Sequence, residues 1–186
     1  MKRSKNMDEL CYPFIHEQSY MCDFEVITDE LCALLGSAVS GTPDTMNDIQ
    51  QDLEVLQPMA FHLNGSMRGR MALSEGDINW VSERLAYYRD EVEERLNNFV
   101  LPRGTVPVPQ LHLARSACKK AIRALVRLEQ EGVEIPDILP RFCNLLCNLC
   151  FTLTVVVNKR RGLVEPVFVS KSYGKFEPSD DASHQP

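Results

Sequence analysis

No glycine precedes Gly36, and the 186 residues hold only nine. The sequence also has no Walker loop, no HExxH pair and no Ser-His-Asp set, so conventional hydrolase chemistry has no support in it. A basic surplus is missing as well. The formal net charge is -6 and the pI is near 5.3, which excludes broad nucleic-acid binding, because a phosphate-tracking protein carries excess positive charge. Whatever basic groups matter must act locally. The opening MKRSKNMDELCYPF has charge but no apolar run of signal-peptide length. The most apolar stretch, Leu145 to Val157, is shorter than the ~20 residues of a membrane span and is broken by Asn148. These absences lead us to expect a cytoplasmic protein with no membrane anchor. Seven cysteines, an odd number without an export signal, then read as reduced thiols rather than a disulfide framework.

What remains is a helical pattern in an ordinary globular composition, 44% hydrophobic and 25% charged. From Asp23, the apolar positions Phe24, Ile27, Leu31, Leu34 and Ala38 recur every three or four residues. Asp29 lies on the other side of that helix, facing solvent, another helix or another subunit. A second helix opens at Thr42-Pro43, carries Pro58 as an expected kink, and closes at Asn64-Gly65. A third starts at Ser74 with Asp77 placed for a capping box and ends before Phe99. The fourth runs from about Gln110 to Gln130, with Leu111, Ala114, Cys118, Ala121 and Leu125 on its apolar face. The fifth, from about Pro136 to Lys159, is apolar nearly all round and is therefore expected to be central. Its β-branched end, Thr152 to Val157, leaves a strand open. The expected fold is an all-α antiparallel five-helix bundle over residues 23 to 161. An irregular segment, 1 to 22, precedes it. An extension from 162 to 186 follows, with a possible short strand at Val167 to Ser170 and a disordered tail, GKFEPSDDASHQP.

Three constellations carry chemistry. Arg115, Lys119 and Arg123 form a row at four-residue spacing that suits a polyphosphate, although the same row is a common solvated helix face. Arg115, at the edge of the apolar stripe, calls for an acidic partner. Phe99 stands in a loop rich in proline, FVLPRG, and by spacing alone reads as a core anchor. Cys143, Cys147 and Cys150 have an iron-sulfur spacing, yet they share one face of an apolar helix, where cysteine acts as a small hydrophobe. Cys11, His16 and Cys22 match no standard zinc site. Asn144 and Asn148 are amides in an apolar helix, and if buried they need partners.

The run FVLPRG followed by LHLARSACKKAIR resembles the F-x-LPGG...LHxARTxxRRAER signature of ATP:corrinoid adenosyltransferases of the propanediol-utilisation type. Thr28 to Gly36 is similar to the family's V-DEL-N-x-x-G helix, and Phe142 to Phe151 to its F-x-NRLSDYLF helix. The resemblance implies a homotrimer with sites between subunits, binding cobalamin, ATP and Mg2+. Catalysis would rest on Phe99, closing the lower face of cobalt, and on Arg115 paired across the boundary with Asp29. Lys119, Asn144, His112 and Arg123 would complete the cofactor side. The sequence departs from the signature at Arg103, Lys119, Lys120, Ile122, Leu145 and Asn148, and nothing in it matches the family's TGDxGxTS nucleotide loop. A second reading, a non-catalytic corrinoid-binding or sensing protein on the same trimer, stays open at this stage. So does a helical interaction protein with no small ligand.

Overall fold

The computed structural model describes residues 4–97 and 99–172, so the expected tail lies outside the described residues. The described residues form five α-helices: α1 (Tyr20–Gly41), α2 (Asn47–Ser66), α3 (Glu75–Val92), α4 (Val108–Gln130) and α5 (Ile138–Arg160). α1 packs between α2 and α4, α4 between α1 and α5, and α3 on the far side of α5.

Local chemistry sets the helix ends. Ser19 caps α1 by accepting the Met21 N–H at 3.2 Å, five residues before the stripe begins at Phe24. The same hydroxyl donates to Glu131 at 2.8 Å, which ties the start of α1 to the end of α4. Ser74 and Asp77 form the expected reciprocal box at α3. Between α1 and α2 the chain first makes a 3-10 turn, Asp44–Met46, so α2 begins later than the Thr42-Pro43 signal suggests. α2 passes through Pro58 and Gly65 without ending, stopping at Ser66.

α5 explains the ambiguity of its own sequence. From Leu149 to Asn158 every residue except Phe151 is buried, because α3 and α4 cover opposite sides of the helix. The hydroxyls that make this segment look strand-like are satisfied within the helix: Thr152 donates to the Asn148 carbonyl and Thr154 to that of Phe151. The complete helix, unlike the shorter run Leu145 to Val157, is long and apolar enough to cross a bilayer by length and composition. Its most apolar window is 67% buried within the bundle, the condition of a core helix. The Val167 to Ser170 segment makes a single antiparallel bridge, Val167 to Val100, rather than a strand.

α2 and α3 are joined through polar side chains. The Tyr88 hydroxyl donates to Asp52 at 2.7 Å, and Arg160 of α5 bonds both Asp48 and Glu91. At the other end, Arg68 makes a two-pronged contact with the buried Glu25 carboxylate, also pairs with Glu17, and lies 3.9 Å over the Phe14 ring. Residues 14 to 17 are thereby pinned against the α1–α2 end of the bundle.

Candidate functional site

The loop from Phe99 to Pro107 enters α4, and the chain that leaves α5 holds it. Leu101 N–H donates to the Pro166 carbonyl at 2.8 Å, Phe168 N–H donates to that of Phe99 at 2.7 Å, and Arg161 bonds Thr105. Asn158, almost wholly buried, donates from Nδ2 to the Arg103 carbonyl at 3.0 Å. Gly104 makes the close approach possible: a Cβ there would stand 2.6 Å from Asn158 Oδ1 and 2.7 Å from Val108 Cβ. The outcome of this bracing is that Phe99 is 85% exposed, beside an exposed Phe168 and Val167. The core-anchor expectation from spacing is therefore wrong. The bundle end is filled without Phe99, and the ring stands on a supported loop facing outward.

One turn into α4, His112 is buried with its Nδ1 lacking a partner. Burial, with the Arg115 charge beside it, pushes its pKa down to about 4, so the ring is neutral. Arg115 is half-buried, as its edge position implies; its Nε finds no partner and its guanidinium lies 5.4 Å from the Phe151 ring centre. His112 Nδ1 and Arg115 Nε are thus two buried nitrogens without a protein partner within one turn of α4. Asp29 is exposed on α1 and makes no ion pair with Arg115 among the described residues; its neighbour Glu30 pairs with Lys120 at 2.9 Å. Asn144 and Asn148 are exposed, not buried, so neither amide is a helix-to-helix bond; Asn144 donates to the Pro140 carbonyl of its own helix.

Lys119 and Arg123 continue the α4 row into an open groove of about 360 Å³ between α4 and α1. Tyr20, Asp23 and Ile27 line one wall, and Lys119, Lys120, Arg123, Ala124 and Arg127 the other. Sequence reasoning missed Tyr20, Asp23 and Arg127. The continuation of the four-residue spacing from Arg123 to Arg127 was a usable signal, but which α1 residues oppose it is a tertiary fact. Asn158 was also missed, hidden in an apolar run.

The cysteines act as core. Cys118, Cys143 and Cys150 are fully buried, and burial pushes the Cys143 and Cys150 thiols up to about 12. Cys147 is raised by burial too, against the opposing pull of Lys119 and Arg115. Among the described residues no group of three or more His, Cys, Asp or Glu side chains could hold a metal ion.

The structure thus sets an exposed aromatic on a braced loop and, along the helix that follows it, a groove with one cationic wall, an apolar surface beside a basic one. The family described as Cobalamin adenosyltransferase matches residues 21–157. A Cobalamin adenosyltransferase of Cupriavidus metallidurans is 34% identical over 137 residues, covering 72% of each chain. A Corrinoid adenosyltransferase of Bacillus subtilis is 31% identical over 143 residues, covering 73% of this chain and 72% of that one. The fold is that of a PduO-type ATP:corrinoid adenosyltransferase variant from Lactobacillus reuteri complexed with cobalamin and ATP. The TM-score is 0.74 at 21% identity, covering 83% of this chain and 88% of the other. A second variant of that protein, complexed with ATP, gives 0.72 at 22% identity, covering 82% and 89%. The chain belongs to the cobalamin adenosyltransferase family.

Proposed function

We propose that this chain performs the reaction its family is named for, transfer of the 5′-deoxyadenosyl group of ATP to the reduced cobalt of a corrinoid. The cobalt electron pair forms the bond to the 5′ carbon, the carbon-oxygen bond to the phosphate chain breaks, and triphosphate leaves. The protein supplies no nucleophile, consistent with a sequence that has no hydrolase constellation; its work is to position two ligands and stabilise the leaving polyanion. The observation that carries the reading is Phe99, a large aromatic 85% exposed yet braced on both sides of its loop. A ring presented in this way fits the face of a corrin and displaces what would otherwise cover the cobalt.

Arg115, Lys119 and Arg123 take the phosphates, with Mg2+ as their companion ion. His112 stays neutral behind Arg115, so it does not add charge to the site. Asn144, exposed on α5, is the nucleoside-side amide. Asp29 and Arg115, which do not pair within the chain, meet across the boundaries of a homotrimer. Six buried thiols suit the cytoplasm. Residues 23 to 161 form the catalytic unit.

The decisive experiment mixes the protein with Mg·ATP and chemically reduced cobalamin without oxygen and follows the cobalamin spectrum. Conversion to the adenosylated form above the enzyme-free rate is expected; persistence of the reduced signal at that rate rules out catalysis. A base-off spectrum that ATP leaves unchanged would instead support the sensing protein. Asp29→Asn should weaken the site more than the fold, and unchanged activity and ligand binding would dismiss the intersubunit pair.

A further inference from the structure

Lys119, Arg123 and Arg127 stand at four-residue intervals on α4, so one stripe carries three cations over about 12 Å of helix. All three line the groove against α1. Among the described residues none of the three has an acidic partner, whereas Lys120 beside them is neutralised by Glu30. Arg127 is also held in place. Its guanidinium lies 4.8 Å from the Tyr20 ring centre, and Tyr20 is anchored by its own N–H donating to Glu131. A guanidinium stacked on a ring keeps its N–H edge for an oxyanion and loses little freedom on binding one. Arg127 lies one turn beyond Arg123, where the similarity to the family signature ends.

The groove contains one carboxylate, Asp23. It repels a bare polyanion but tolerates one that carries a divalent cation, since Mg2+ is commonly held by one or two carboxylates together with substrate phosphates. We propose that Arg127, stacked on Tyr20, forms with Arg123 the distal end of the polyphosphate site. There it takes the terminal phosphates of a magnesium-bound triphosphate, in place of the backbone N–H donors of a glycine-rich loop. Residues 1 to 35 contain no glycine with which to build such a loop. The ligand's identity rests on the adenosyl-transfer reading; the site itself rests on the groove, the unpaired stripe and the stacked arginine.

The test titrates inorganic triphosphate with Mg2+ into the intact chain, without corrinoid, and reads the dissociation constant by calorimetry. Arg127→Gln should weaken binding about tenfold, the loss expected for one charge-assisted fork. Tyr20→Leu, which keeps every charge, should weaken it by a smaller factor, while Tyr20→Phe should match wild type. Arg70→Gln, which removes an exposed arginine outside the groove, controls for bulk charge and should change nothing. Asp23→Asn should improve binding of triphosphate without Mg2+ and so narrow the advantage of the magnesium form. If Arg127→Gln binds like wild type while Lys119→Gln is impaired, the distal assignment is overturned and the adenosyl-transfer reading stands. If wild type itself takes up no triphosphate, the distal site is overturned whatever the cobalamin assay shows. That assay judges the reaction separately.

Discussion

Gly104→Ala adds one carbon where the loop carrying Phe99 crosses α5. The new Cβ would meet Asn158 Oδ1 at 2.6 Å and Val108 Cβ at 2.7 Å, both inside ordinary contact distance, on a backbone with φ +157°. Strained backbone costs about 1–3 kcal/mol and overpacking about the same, so the two together come to roughly 2–6 kcal/mol if the loop stays in place. At this chain length each kcal/mol lowers Tm by about 2–4 °C. Where the loop instead shifts away from Asn158 and Val108 and carries Phe99 with it, the strain appears as lost ligand affinity. Thermal unfolding and cobalamin titration on one preparation therefore capture both routes. Gly132→Ala is the control: its φ is +85° with nothing within 4 Å of the added carbon, so it carries backbone strain alone and should leave cobalamin binding intact. Adding Asn158→Ala to Gly104→Ala removes one clashing atom, so the double variant should be less impaired than the sum of the single effects. A Gly104→Ala protein that melts within about 1 °C of wild type and binds cobalamin equally would refute the claim that this crossing positions the loop.

Phe99→Ala should separate ligand from fold: an 85% exposed ring contributes within about 0.5 kcal/mol to stability, so Tm should hold while cobalamin affinity falls at least tenfold. His112 should make stability sensitive to mild acid. Its pKa is about 4 in the fold against 6.5 in the unfolded chain, so below pH 6.5 only the unfolded chain takes up the proton. Stability from this group is complete above pH 6.5 and falls towards pH 4, and the difference in unfolding free energy between wild type and His112→Asn should slope across that window and be flat above it. Native alkylation followed by mass spectrometry should label one thiol per chain quickly, Cys11, because the other six are buried. Rapid labelling of Cys143 or Cys150 would mean that the α4–α5 interface opens.

Much of the helical framework was legible because its signals are local. The Ser74–Asp77 box needs only three-residue spacing, and the stripes on α1, α3 and α4 need only the helical period. The half-burial of Arg115 followed from its angle on that period. Angle alone misjudged Asn144 and Asn148, because an almost uniformly apolar α5 has no sequence-defined outer face; α3 and α4 decide which side remains open.

The sequence by itself determined five helices, a cationic row on the fourth and a stiff aromatic loop before it, since each depends on residues within a few turns of one another. Only the tertiary structure decided that Phe99 points outward, because Pro166, Phe168 and Asn158, more than fifty residues away in the chain, supply the bonds that hold its loop. It also decided that Tyr20 and Asp23 face Arg123 and Arg127 across one groove. Period and propensity describe one helix at a time. Exposure and convergence depend on which distant segments remove water from each face.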